Sequence, residues 1–127
     1  MSRGRRSRDL GRLGEEKAGE FLRRAGFKKV VSNYRCRLGE IDLVAMEGET
    51  LVFVEVKSKT GTFHGRPEEM ITSAKRRRLT MLARFFLAEK GWLRRPARFD
   101  VVTVDWERDR EGAVTHYRDA FPASSPW

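Results

Sequence analysis

Cysteine occurs once, at Cys36, in a chain of 127 residues. A single thiol closes no intrachain disulfide and makes no zinc site. The sequence therefore points to a reducing compartment and to a fold held by its own core. One domain of this length buries about two-thirds of its unfolded surface, enough to fold without staples. Long apolar runs are missing too: nothing approaches the roughly 20 residues that span a bilayer. Near the N-terminus Leu10 and Leu13 stand isolated among Gly and Arg, without the apolar core of a signal peptide. A cytoplasmic protein with no membrane partner is expected. Glutamine is absent and Asn33 is the single asparagine, a bias shared with heat-adapted proteins. No segment repeats.

What the chain has in excess is positive charge. Against 18 Asp and Glu stand 27 Lys and Arg, a net charge of +9. Such an excess says nothing about fold but favours a polyanionic partner. It is also clustered, in Arg3, Arg5, Arg6, Arg8 and Arg12, in the unbroken run Lys75 to Arg78, and in Arg94, Arg95 and Arg98. Arginine dominates, which suits bidentate phosphate contacts. The competing explanation is a solvated surface that keeps the chain soluble.

Hydrophobic spacing divides the chain into a basic arm over residues 1–11, one domain over 12–119 and a frayed, proline-containing tail over 120–127. From Leu13 the pattern is helical, with Ala18, Phe21, Leu22 and Ala25 on one face and Gly26 as the stop. Residues 27–34 read as a short strand. Residues 39–46 alternate, placing Ile41, Leu43 and Ala45 opposite Glu40, Asp42 and Val44. Residues 51–57 alternate likewise, with Val52, Val54 and Val56 opposite Phe53, Glu55 and Lys57. A helix is expected from Pro67 to about Lys90, ended by Gly91, with its apolar stripe running from Ile71 to Phe86. Strands follow over 98–105 and 113–118. This order predicts an α/β fold, a central mixed sheet flanked by helices.

The two middle strands carry the chemistry. If Glu47-Gly48-Glu49-Thr50 forms the turn, Met46 pairs with Leu51 and Asp42 lies across from Glu55, with Cβ atoms about 5 Å apart. Lys57 falls on the same face. A register shifted by one residue sends Glu55 to the other side. Two adjacent carboxylates repel and invite a cation. Mg²⁺, with Mn²⁺ as substitute, suits them, because it binds through one or two carboxylates and leaves positions for phosphate oxygens. Lys57 beside it would orient water or stabilise an anionic transition state. The plain alternative is an exposed strand face where Lys57 makes salt bridges to both acids.

These residues have a known look. Gly39-Glu40-Ile41-Asp42-Leu43-Val44-Ala45 and Val52-Phe53-Val54-Glu55-Val56-Lys57 closely resemble the uncharacterised bacterial YraN-like family. That family is grouped with the restriction-endonuclease-like PD-(D/E)xK nucleases and is similar to archaeal Holliday-junction resolvases. Gly14-Glu15, Ala18, Leu22 and Gly26-Phe27 resemble its first helix; Lys75, Arg78 and Leu79 its second; Arg98-Phe99-Asp100-Val101-Val102 its late strand. The resemblance covers roughly residues 11–105 and departs at Ile41, which stands where the motif's name has proline. It implies a restriction-endonuclease-like fold, Asp42, Glu55 and Glu15 as metal ligands and Lys57 as catalytic lysine. The activity implied is DNA phosphodiester hydrolysis, on branched or repair intermediates, by a homodimer. The alternatives are a nucleic-acid-binding module that keeps the fold without turnover, and an assembly factor whose charge serves solubility.

Other residues are weighed against plainer roles. Lys75, Arg76, Arg78 and Arg12 are expected to contact phosphates. Glu40 shares a face with Asp42 and is an alternative ligand, but it reads first as a rim salt bridge. Arg98 and Asp100 read as a buried structural ion pair. His64 reads as a loop residue, the 58–66 segment as a cover for the site, and Trp92, Trp106 and Phe63 as core or rim aromatics rather than base-stacking platforms.

Overall fold

The computed structural model describes residues 3–59 and 69–127, with side chains from residue 9 to 58 and from 69 onward. Helix α1 runs from Arg3 to Arg24. Most of the segment expected as an arm is therefore helix, continuous with the amphipathic part. Gly26, at φ +98°, ends it where the sequence places the stop, and Phe27 N–H returns 3.0 Å to the Leu22 carbonyl.

Three antiparallel strands follow: β1 (Lys28–Cys36), β2 (Gly39–Glu47) and β3 (Thr50–Lys59). The β2–β3 register is the one that the four-residue turn requires, with Met46 opposite Leu51. The strands extend one pair further, to Glu47 opposite Thr50, so that Gly48 (φ +59°) and Glu49 make a tight two-residue turn. Helix α2 occupies Ser73–Lys90. Its N-cap is Thr72, whose hydroxyl accepts from Lys75 N–H at 3.2 Å, not the Pro67 region, which lies outside the described residues. Gly91 closes its C-terminus in the left-handed conformation. Strand β4 (Ala97–Asp105) lies parallel to β3 and β5 (Ala113–Phe121) antiparallel to β4. A parallel pair needs a crossover, which the α2 segment supplies. The result is an α/β fold with a mixed sheet in the order β1-β2-β3-β4-β5.

Alternate residues of the sheet face different helices. Leu51, Phe53, Phe99 and Val101 pack with Leu79, Leu82 and Phe86 of α2. Val52, Val54, Val102 and Val104 pack with Ala18 and Leu22 of α1 and with Phe27. The tail corrects the expectation of fraying: Ala120 and Phe121 are buried, and Trp127 lies 5.6 Å from the ring of Phe99 and 6.2 Å from Phe53. Two large aromatics offer more apolar area than a loose terminus would leave in water.

Candidate metal site where the two middle strands part

Regular alternation breaks at one place in β2. Ile41 packs with Val44 under α2, whereas Leu43 and Ala45 pack under α1. This departs from the expected grouping of 41, 43 and 45. The break coincides with gaps in both neighbouring ladders. On one side the pairs pass from Ser32–Leu43 to Tyr34–Ile41 without a step at Asn33 and Asp42. On the other they end at Leu43–Val54. Asn33 takes φ +53°, a left-handed conformation that asparagine tolerates better than most side chains. Asp42 therefore lies where β2 leaves β3, and its Oδ2 accepts the freed N–H of Val56 at 2.9 Å.

From this position Asp42 meets acids from several elements. Glu15 of α1, Glu40 and Asp42 each bring a carboxylate oxygen within 4.8 Å of the others, an acidic cluster that can hold a metal ion. Glu40, expected as a rim salt bridge, does pair with Arg35 at 3.3 Å, yet it also belongs to this cluster. Asn33, its amide oriented as its neighbours require, donates to Glu15 at 3.1 Å and Glu40 at 2.7 Å. On β3, Glu55 stands close enough to Asp42 to repel it. Burial first and the Glu55 carboxylate second push Asp42 up to about 7, against the opposing pull of Val56 N–H and Lys75. Glu15 is also raised, by burial and by Asp42 and Glu40. Oxygen-only donors of this kind suit hard divalent ions.

The ion pair at Glu55 is not the one that the plain alternative gives it. It is Lys75 from the first turn of α2, rather than Lys57, that reaches Glu55, at 2.6 Å. Lys57 follows Glu55 along β3 and is half-buried. Arg76 donates to the Ile71 carbonyl at 2.9 Å and lies over the Phe121 ring, which anchors it to the fold. Arg78 is exposed, its stem beside Gly39. Arg12 is exposed and paired with Glu16 at 3.5 Å. It lines a groove of about 450 Å³ that also borders Glu15, Asn33 and Asp42. His64 and Phe63 lie outside the described residues, as does most of the 58–66 segment.

A model of the family described as "Uncharacterised protein family UPF0102" matches residues 14–104. The chain belongs to the UPF0102 family. It is similar to a UPF0102 protein of Pelotomaculum thermopropionicum, at 46% identity over 88% of this chain and 94% of the relative. A UPF0102 protein of Symbiobacterium thermophilum is 50% identical over 78% of this chain and 84% of its own length. One from Pseudomonas aeruginosa is 49% identical over 78% and 80%. The UPF0102 match encloses Glu15, Asn33, Glu40, Asp42, Glu55, Lys57 and Lys75. Among the described residues, no helix is long and apolar enough to cross a membrane.

The remaining ionic network has another character. Arg98 meets Asp100 at 2.9 Å, in agreement with the expected structural pair, but the pair is part of something larger. His116 Nε2 lies 2.7 Å from Asp100, Asp119 N–H donates to it at 2.9 Å, and Glu47 joins Arg98 to Arg118. Trp106 donates to the Ser58 hydroxyl at 2.6 Å and Trp92 packs beside Phe86, the structural roles expected for both.

Proposed function

We propose that this UPF0102 chain is a divalent-metal-dependent endonuclease of the restriction-endonuclease-like class that hydrolyses DNA phosphodiester bonds. The observation that carries this reading is the position of Asp42, placed by a break in β2 between Glu15 and Glu40 on one side and Glu55 on the other. An acid raised to about 7 by burial and by a neighbouring carboxylate is held in a place suited to a cation. Asp42, Glu55 and Glu15 would hold Mg²⁺, or Mn²⁺ in its place, with Glu40 as a further acid of the same cluster. When bound, such an ion supplies charge neutralisation at the scissile phosphate and a more acidic water.

The chain's own residues do the rest. Strand β3 holds Glu55 at 7% exposure, which fixes its carboxylate for chelation. Lys57, two residues along, offers an ammonium to hold the attacking water or to stabilise negative charge as it develops. Arg78, Lys75 and Arg12 carry positive charge around the acids and would bind backbone phosphates, which an acidic pocket alone would repel. A binding module without turnover is favoured by one observation, the internal counter-ion that Lys75 gives Glu55.

Labelled linear, flapped and four-way DNA, incubated with Mg²⁺ or Mn²⁺, separates the two. Cleavage by the wild-type chain that falls at least about 100-fold in Asp42→Asn and Glu55→Gln supports the enzyme. Tight, salt-sensitive binding without cleavage of any substrate supports the module.

A further inference from the structure

We infer that Lys75 is the resident counter-ion of the site: it holds Glu55 until a divalent ion takes its place, and its freed ammonium then binds a phosphate of the nucleic-acid backbone. The inference rests on the metal-dependent reading above and adds to it a coupling between metal loading and substrate binding.

Glu55 is the most enclosed acid of the group, at 7% exposure. A carboxylate taken that far from water needs a cation or several donors. Lys75 provides the cation, with Nζ 2.6 Å from Oε1, and it also draws down the neighbouring Asp42. One ammonium, however, stands beside two adjoining carboxylates, and its contact is with Glu55, while Asp42 Oδ2 accepts from Val56 N–H. A divalent ion between the acids would match their charge better, and at Glu55 it would meet the repulsion of an ammonium 2.6 Å from Oε1. Metal and Lys75 are therefore competitors.

The construction of α2 makes the exchange inexpensive. Thr72 fixes the Lys75 backbone through the N-cap, and Arg76 anchors the same turn to the Ile71 carbonyl. The Lys75 side chain keeps 37% of its surface in water. Turning its flexible stem outward requires no movement of the helix. Once displaced, the ammonium remains beside the acids on the same basic turn as Arg78, where a phosphate bound at the metal would find it. Lysine fits this task better than arginine, because its charge is compact and carried on a freely rotating stem.

Calorimetric titration of the full chain with Mn²⁺ tests the competition. Lys75→Met should bind Mn²⁺ about ten-fold more tightly than wild type, since a unit positive charge at contact distance has been removed, and Lys75→Arg should stay near wild type. Equal or weaker binding by Lys75→Met overturns the inference while leaving the metal reading in place. Failure of the wild-type chain to bind Mn²⁺ at all takes both down. Amine acylation of the wild-type chain, read by mass spectrometry, needs no variant: Lys75 should become several-fold more reactive when Mn²⁺ is added, with exposed Lys90 as reference. No change at Lys75 overturns the inference. DNA binding measured against salt, with Ca²⁺ or with chelator, tests the second half. Metal should steepen the wild-type log–log slope by about 0.9, one additional phosphate contact on duplex DNA, and should leave the Lys75→Met slope unchanged. A wild-type slope indifferent to the ion refutes the coupling.

Discussion

Two groups of carboxylates occupy the same sheet and have opposite characters. Around Asp100 the carboxylates of Asp100 and Glu47 both have arginine partners inside the fold. Burial pushes Asp100 up, but hydrogen bonds from His116, Arg98 and Asp119 N–H outweigh it and hold the carboxyl below its ordinary value. Glu47, bridged by Arg118 and Arg98, is lowered to about 2. Around Asp42 the balance is reversed, with Asp42 and Glu15 both raised. An enclosed Asp–Arg pair proves little about function, since structural networks are full of them. Acids gathered without enough cations are a liability to the fold unless something from outside joins them.

Exchanging the two acids' fates is the strongest way to break this comparison. Asp100→Ala leaves His116 and the Asp119 N–H without their acceptor in an enclosed site and Arg98 with Glu47 alone, and removing one partner of a buried pair costs about 3–5 kcal/mol. Denaturant unfolding should show that loss while Mn²⁺ affinity, measured under native conditions, remains unchanged. Asp42→Asn should do the reverse. Metal affinity should fall at least about 100-fold, equivalent to roughly 2.7 kcal/mol, and metal-free stability at neutral pH should hold or rise because a raised acid has been removed. A stability loss at Asp42→Asn comparable to that at Asp100→Ala would erase the distinction between the two groups.

The pH dependence of stability has opposite signs at the two sites. The ordinary Asp value is 3.8, and Asp42 in the fold stands at about 7. Between these values the unfolded chain ionises the residue and the folded chain does not. Metal-free stability attributable to Asp42 is therefore greatest in acid, declines as pH rises from about 4 to 7, and is level above. Asp100, being lowered, stabilises above its ordinary value, and that contribution is lost as pH falls through the folded value. Thermal melting in chelator should show the neutral-side decline in wild type but not in Asp42→Asn, and Mn²⁺ should reverse it. A decline that persists in Asp42→Asn would assign it to another group.

The sequence made one half of this comparison readable and hid much of the other. The Asp42–Glu55 approach was legible because a hairpin is local: Gly48 supplies the tight turn, the β-branched run of β3 supplies the strand, and the register brings the acids near each other, although the paired ladder stops one step short of the expected Asp42–Glu55 pair, at Leu43–Val54. Arg98 and Asp100, two apart on one strand, were legible for the same reason. His116, Asp119 and Arg118 were not, since β5 brings them in from a sequence-distant strand. The start of α2 was misplaced because Pro67 and the acids after it offer a stronger local signal than Thr72. Glu40 was underweighted for a different cause. Alternation already puts it on the face of Asp42, but Glu15 of α1 and the Asn33 amide, which meet it there, come from other elements. A single left-handed residue within a strand leaves almost no mark in the pattern of apolar side chains. The one available hint was the identity of Asn33, the single asparagine of the chain.

That residue gives the smallest predicted effect and the finest test. Asn33 does two things in the structure: its backbone takes φ +53°, and its amide holds Glu15 and Glu40 together. Glycine accepts the backbone conformation without strain, so Asn33→Gly removes the amide alone. Loss of a side chain that orients metal ligands typically weakens the ion by 10–100-fold, and the exposure of Asn33 places the expectation at the lower end, about ten-fold. Asn33→Ala adds backbone strain of about 1–2 kcal/mol, so it should lower the melting temperature as well as the affinity. Calorimetry with Mn²⁺ alongside thermal melting reads the two contributions separately. If Asn33→Gly binds Mn²⁺ as wild type does, the amide contributes nothing, and the acidic cluster keeps its geometry through the strand irregularity alone.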